Sequence, residues 1–387
     1  MHVTVRLPNG FSAHVTNVGV KDGSQDFTVV LGAPGTVSAA VFTQSRFAGP
    51  SVLLSRGHLD GANRAVVVVS KNANVATGEE GMANARELAA GVAARLGIGA
   101  REVLVASTGV IGRQYPMDRI RAGIAAVPST LPGTDAEEVA RGIMTTDTVH
   151  KISEAAVEGS AARVVGVAKG VGMIEPDMAT MIALVFTDAA LTAAELDAHF
   201  RRAVGTTLNC VSVDTDTSTS DTAVVLASGA AGPVDAGAFG RALHSVLLGL
   251  TRQIARDGEG AETLIEVTVD GARDAAQAKT VAKAIVNSPL VKTAVHGADP
   301  NWGRVAMAVG KCSQYDDIDQ ERVVIRFGAQ EVYPSRVDDA GLARLSDYMR
   351  GDEVLIHVTL NTGTEAATVW GCDLTDGYVR INADYTT

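Results

Sequence analysis

The stretch KGVGMIEPDMATMIALVFT, residues 169–187, sets two kinds of chain against each other. Gly170 and Gly172 open backbone conformations closed to other residues, and Pro176 stiffens the approach to the apolar run that follows. Residues 181–187 suit a buried strand. Two readings follow. The plain one is a Gly/Pro loop entering a strand that happens to begin with Thr. The chemical one makes Thr180 a nucleophile held at a strand start. A threonine hydroxyl is weak at neutral pH and needs a base, and the most economical base is its own α-amine. That amine exists only once the Ala179–Thr180 peptide bond has been cut.

Outward from this stretch, short apolar strands alternate with Ala-rich helices, which favours a mixed α/β sandwich over a helical bundle. Toward the N-terminus, 27–31, 37–43, 52–54 and 65–70 read as strands between Gly- and Pro-containing turns. Residues 79–96 keep helical spacing of Met82, Ala85, Leu88, Val92 and Leu96, with Gly97 as the stop. A strand at 103–106 then runs into Ser107-Thr108-Gly109, read as a polar turn ahead of a helix starting near Met117. Toward the C-terminus, 164–168 is a strand, Thr192 with Glu195 forms a capping box, and 208–213 is a strand leading into the hydroxyl-rich run Asp214 to Thr222. Phe239, Leu243, Leu247, Leu250 and Ile254 make one helix face, and 264–269, 323–327, 354–360 and 367–371 complete the strands.

Composition narrows the function. The 387 residues are 46% hydrophobic, enough for a sizeable core, and the net charge of −11 disfavours nucleic-acid phosphates and anionic membranes as partners. No apolar run is long enough for a membrane-spanning helix, and the N-terminus has no basic head before an apolar segment. Cys210, Cys312 and Cys372 are far apart and odd in number, which argues against a disulfide framework or a zinc site and fits a reducing cytoplasm. No metal and no cofactor is expected: Gly170-x-Gly172 completes no dinucleotide fingerprint, no phosphate-cradling loop occurs, and His150 and His296 have no ligand-spaced companions. Ser107-Thr108-Gly109 reads either as an ordinary strand-to-helix turn or as preorganised donors to a tetrahedral oxyanion. The run 214–222 fits capping and turn chemistry as well as it fits metal carboxylates, and Asp299-Pro300-Asn301-Trp302-Gly303-Arg304 reads as a packed turn.

Taken together, the ordered blocks of this chain resemble the ornithine acetyltransferase (glutamate N-acetyltransferase) family of arginine biosynthesis. The resemblance runs almost the full length. It is carried by Lys71-Asn72-Ala73-Asn74, residues 107–112, Met144-Thr145-Thr146-Asp147-Thr148 and 169–180, then by 214–221, Asp257-Gly258-Glu259-Gly260-Ala261, 286–292, 299–304 and 378–387. It implies an α/β fold, a layered α-β-β-α sandwich of N-terminal-nucleophile type over roughly 1–275 with a smaller C-terminal α/β part over 280–387. It further implies self-cleavage between Ala179 and Thr180 into an α chain (1–179) and a β chain (180–387) that stay together, in α₂β₂ or larger assemblies. Acetyl then passes from N-acetylornithine to Thr180 and on to glutamate, in two steps and without a cofactor. By motif, Thr108 and Gly109 serve the oxyanion and Thr180 is the nucleophile. Lys169, Glu259, Asn382 and Thr387 contact substrate together with a Thr of the 144–146 block, Thr146 being favoured over Thr145.

The physics of those roles is direct. A Lys169 ammonium lowers the pKa of a neighbouring α-amine by like-charge repulsion, and a Glu259 carboxylate suits the terminal ammonium of the ornithine moiety. Some members also take acetyl from acetyl-CoA; with no phosphate cradle in the sequence, the single recycling activity is the expectation. Glu175 and Asp177 depart from the small or amide residues many members carry there, so a specialised acetyltransferase of secondary metabolism stays open. So do an aminopeptidase or amidase of the same architecture and a non-catalytic amino-acid-binding relative.

Overall fold

Four consecutive valines, Val66 to Val69, suit a strand covered on both faces, and Ala65–Asn72 is buried along its whole length. The computed structural model describes residues 4–21, 23–175 and 181–384. In chain order the strands are β1 (Phe11–Thr16), β2 (Phe27–Gly32), β3 (Val37–Phe42), β4 (Ala65–Asn72), β5 (Val103–Val110), β6 (Lys151–Ala156), β7 (Arg163–Lys169), β8 (Ile182–Ala190), β9 (Thr222–Pro233), β10 (Leu264–Ala272), β11 (Val324–Phe327), β12 (Gln330–Tyr333), β13 (Glu353–Thr359) and β14 (Glu365–Cys372). The helices are α1 (Pro50–His58), α2 (Gly78–Leu96), α3 (Met117–Ala126), α4 (Ala136–Gly142), α5 (Ala193–Thr206), α6 (Ala236–Arg256), α7 (Ala275–Val286), α8 (Pro289–His296), α9 (Trp302–Gly310), α10 (Asp339–Met349) and α11 (Asp376–Asp384).

Two sheets, ordered β1-β2-β4-β5 and β3-β9-β8-β7-β6, pack face to face. The period of two along each strand assigns the layers. Val66, Val68, Leu104 and Ala106 meet Val165, Val167, Ile182, Leu184 and Phe186 between the sheets. Val67, Val69, Val103 and Val105 turn the other way onto the α2 residues Ala85, Leu88 and Val92, with Ile120 and Ile124 of α3. Ala183 and Val185 face outward onto Phe200 of α5 and Leu243, Val246 and Leu250 of α6. The result is the α-β-β-α sandwich anticipated above. A third sheet, β12-β11-β13-β10-β14, continues from the α6 side, and its apolar residues join the same core as α6. No helix among the described residues is long and apolar enough to cross a membrane, and the three cysteines are free and buried.

Local chemistry explains the element ends. Gly97 closes α2 in the left-handed conformation, and Thr192 and Glu195 exchange the two hydrogen bonds of a capping box at α5. Three expectations need correction. Residues 52–54 are helical: Pro50 sits in the first turn of α1, where its missing N–H costs nothing, and Ser55 Oγ both donates to Val105 O and accepts from Val105 N. Residues 208–213 are not a strand but a 3₁₀ turn, Leu208–Cys210, followed by a lone bridge from Val211 to Trp370; a short buried apolar run carries no period that separates these states. Ser107-Thr108-Gly109 is no turn, because β5 continues through Val110 in parallel pairing with β4.

Candidate active site

That continuation positions the first candidate group. Gly109 has φ +133, and a Cβ there would fall 2.2 Å from the carbonyl carbon of Lys71, so only glycine lets the β5 end lie against the β4 backbone. The pairing register shifts at Lys71 and Asn72, which places Asn72 opposite both Thr108 and Val110. Beneath Thr108, the buried hydroxyls of Ser51, Ser107 and Tyr115 bond one another; Ser51 Oγ lies 2.6 Å from Ser107 Oγ and 2.9 Å from Tyr115 Oη. Burial pushes the Tyr115 phenol above its usual pKa, so it stays a neutral hydrogen-bonding group.

From the facing sheet, β7 ends at Lys169, whose Nζ donates to Thr108 Oγ1 at 3.0 Å. A hydroxyl that accepts from an ammonium keeps its own proton to give elsewhere. Lys169 is 9% exposed, and desolvation pulls its pKa below the ordinary lysine value. Asp147, Asp221 and Glu259 oppose that shift, and the Lys151 charge adds to it.

The next loop is pinned from two sides. Asp214 accepts from Met173 N at 2.6 Å and from Ile174 N at 2.7 Å, which gives part of the hydroxyl-rich run its turn-holding role. Glu259 N donates to Val171 O at 2.8 Å. A Cβ at Gly172 would fall 2.5 Å from the Glu259 carboxyl, so any side chain there would displace it. Glu259 accepts from Asn382 Nδ2 at 3.0 Å and from Thr146 Oγ1 at 3.4 Å. Tyr378, on the same helix as Asn382, has its pKa pushed up to about 12 by burial and by the charges of Asp214, Glu259 and Asp216.

Thr108, Gly109, Thr145, Thr146, Lys169, Glu259 and Asn382 therefore line one cavity of about 290 Å³, together with Met181 and residues 218–221. Ala179, Thr180 and Thr387 lie outside the described residues. Glu175 points away from the cavity: its carboxylate accepts from Asn287 Nδ2 at 2.7 Å and pairs with Lys283 at 3.3 Å.

Sequence reasoning quoted Asp147 and Asp257 within its blocks but missed the buried lysine that joins them behind this wall. Lys151, fully buried, lies 2.7 Å from Asp147 Oδ1 and 2.5 Å from Asp257 Oδ2. A lysine in a strand otherwise free of signals gives no hint of burial, and Asp257 is 106 residues away, so only the fold joins them. It also missed a second cluster. His296, read as having no companions, comes together with Glu262 and Asp373, whose ligand-type atoms lie within 4.8 Å of one another and of its own. None of these three lines the cavity.

The ArgJ family matches residues 12–387. The chain belongs to the ArgJ family. It is 55% identical over 381 residues to the arginine biosynthesis bifunctional protein ArgJ 2 of Nostoc sp., covering 98% of both chains. It is 58% identical over 392 residues to the glutamate N-acetyltransferase Oat2 of Streptomyces clavuligerus, covering 99% of both. Among solved structures, the arginine biosynthesis bifunctional protein ArgJ of Bacillus halodurans is 40% identical, with a TM-score of 0.48 over 51% of this chain and 96% of that one. Membership of the ArgJ family agrees with the resemblance drawn from the motif blocks.

Proposed function

We propose that this ArgJ-family protein is a glutamate N-acetyltransferase that moves acetyl from N-acetyl-L-ornithine to L-glutamate. The observation that carries the reading is one cavity with a lysine–threonine pair, Lys169 and Thr108, on one side and the Glu259 carboxylate on another, at the edge where β8 begins. A carboxylate can meet the cation and a remote ammonium can meet the anion, which is the charge pattern of N-acetylornithine. The ArgJ family and the name of the Streptomyces relative, a glutamate N-acetyltransferase, support acetyl transfer to glutamate.

In self-processing, Thr180 Oγ attacks the carbonyl carbon of Ala179, the peptide C–N bond breaks, and water hydrolyses the resulting ester. Ala179 leaves as a carboxylate and Thr180 is left with a free α-amine. In turnover that amine takes the Oγ proton as Oγ attacks the acetyl carbonyl of N-acetylornithine. The tetrahedral oxyanion accepts from the Thr108 hydroxyl and the Gly109 N–H. Collapse breaks the acetyl C–N bond, the α-ammonium returns the proton to the departing ornithine amine, and an acetyl–Thr180 ester remains. The amine of glutamate repeats the sequence in reverse. Lys169 orients one end of the substrate, with Thr146, Glu259, Asn382 and Thr387 around the other. The chains 1–179 and 180–387 stay associated as α₂β₂ or a larger unit in the cytoplasm.

Incubating the purified protein with acetyl-labelled N-acetylornithine, with and without glutamate, tests the reading. Labelled acetylglutamate is expected only with glutamate, whereas acetate in both tubes means an amidase. Acetyl-CoA as a parallel donor reports whether this chain also takes acetyl from a thioester. Thr180→Ala should yield a single uncut polypeptide without transfer; a Thr180→Ala protein that still forms acetylglutamate removes Thr180 from the mechanism.

A further inference from the structure

The wall of the cavity rests on an ionic cluster that takes no direct part in the chemistry above. Asp147 Oδ1 accepts from Gly170 N at 2.7 Å and from Lys151 Nζ at 2.7 Å, while Oδ2 accepts from Thr145 N at 3.1 Å. One carboxylate thus ties the loop bearing Thr145 and Thr146 to the residue after Lys169. Lys151 in turn bridges to Asp257, which accepts from Thr148 N at 3.2 Å and from the Thr148 hydroxyl. Asp257 lies two residues before Glu259, so the cluster joins β6, the 144–148 loop, the end of β7 and the end of α6. Removing two carboxylates and an ammonium from water is costly, and the arrangement is offset only by mutual attraction and well-placed N–H donors.

We propose that Asp147 is the positioning residue of this site: clamped by Lys151 against Asp257, it holds the two cavity loops in register and sets its carboxylate against the backbone N–H of the residue after Lys169. The charged groups acting on Lys169 are Asp147 from the 144–148 loop, Lys151 from β6, Asp221 from the segment before β9 and Glu259 from the segment after α6, while Thr108 of β5 takes its hydrogen bond. Asp147 is first among the opposing charges on Lys169. Its own carboxyl is pushed up by burial, yet the charges of Lys169 and Lys151 and the Gly170 N–H hold it below the usual aspartate range. It therefore stays ionised at every pH where transfer is expected.

The kinetic arm of this inference rests on the acetyl-transfer reading; its spectroscopic arm does not. Asp147→Asn keeps an oxygen for Gly170 N–H and removes the charge. Its Lys169 titration, followed on the ¹³Cε resonance of the full-length protein and assigned with Lys169→Met, should move to lower pH by about one unit or more. The alkaline limb of kcat/KM for N-acetylornithine should move by the same amount, with KM raised about tenfold. Asp257→Asn disturbs the same cluster while leaving the Asp147 charge, so its Lys169 titration should stay at the wild-type position even if the protein is less stable. An unmoved Lys169 resonance in a folded Asp147→Asn protein overturns the inference, as does an equal shift in Asp257→Asn. If Asp147→Asn does not fold, Asp147→Glu, which retains the charge on a longer stem, should keep the Lys169 titration in place while altering KM; a Lys169 titration lowered in Asp147→Glu also overturns it. Loss of all transfer in the wild-type protein with the spectroscopic shift intact counts against the acetyl-transfer reading alone.

Discussion

Two clusters in this molecule set two carboxylates around one basic side chain, to different ends. Asp147, Lys151 and Asp257 sit behind the cavity wall with the lysine side chain wholly out of water. Glu262, His296 and Asp373 gather at the ends of β10, α8 and β14, with Glu262 largely exposed and the His296 side chain 36% accessible. In the first cluster each charge depends on the others, because solvent cannot replace a missing partner. In the second, water can. Asp373, the buried member, is already held through Oδ1 by Glu262 N at 2.9 Å and Thr263 N at 3.0 Å. What separates a device that can set the chemistry of a site from one that trims a surface is the fate of the remaining charge when one partner is removed.

The largest effect expected from that contrast is on stability. Lys151→Met keeps an unbranched apolar stem but removes the ammonium that Asp147 and Asp257 share, which should cost about 3–5 kcal/mol in urea unfolding. The same variant should recover part of its stability in acid. The folded Asp147 carboxyl titrates below the unfolded value near 3.9 in the wild-type protein, so its contribution is present above that pH and is lost as pH falls through the folded value. Without Lys151 a principal cause of the depression is gone and the acid dependence should flatten. A loss under about 1 kcal/mol would put the two clusters in the same class.

Why the first cluster was invisible in the sequence follows from how each part of the fold is specified. The sandwich was legible because burial imposes a period: Val66 and Val68 face one way, Val67 and Val69 the other, and α6 repeats its apolar face every third or fourth residue. The capping box at Thr192 is a local hydrogen-bond pattern and needs no tertiary knowledge. Residues 52–54 failed because three consecutive apolar positions carry no period, while the deciding Pro50 lies outside them. Thr108, Gly109, Lys169, Glu259 and Asn382, which the fold brings to one cavity, were named from recognisable blocks rather than from their geometry. Lys151 stands in no block, and its meaning depends on Asp257, which arrives from the far end of α6. Long-range pairing of this kind leaves no spacing to read.

A second test moves from stability to chemistry. Lys169→Met removes the cation beside Thr108, so the α-amine of Thr180 should titrate higher, and the acidic limb of the transfer profile should rise by about one unit. The sign follows from like-charge repulsion: a neighbouring ammonium disfavours protonating the amine, and removing it makes protonation easier, so more alkaline solution is needed to free the base. KM for N-acetylornithine should rise with it. A profile that keeps its acidic limb would confine Lys169 to carboxylate binding and would sharpen the contrast, because the buried cluster would then act on affinity alone.

The smallest effect belongs to the surface. His296→Asn removes the ring from Asp373 at 3.2 Å and from Glu262 at 3.6 Å, and both acids keep either water or backbone N–H partners. The loss in urea unfolding should be about 0.2–1 kcal/mol, the usual range for an ion pair with access to solvent. His296 also lies in the last turn of α8, so its removal also changes the end of that helix. Any charge the ring carries is open to solvent and screened, so the difference between variant and wild type should not grow between 0.05 and 1 M NaCl. Lys151→Met, whose charges face no solvent, should keep most of its deficit across the same range. A His296→Asn loss that exceeds 2 kcal/mol and survives high salt would mean that Asp373 depends on the ring as Asp147 depends on Lys151, and that exposure of one member does not by itself make such a cluster dispensable.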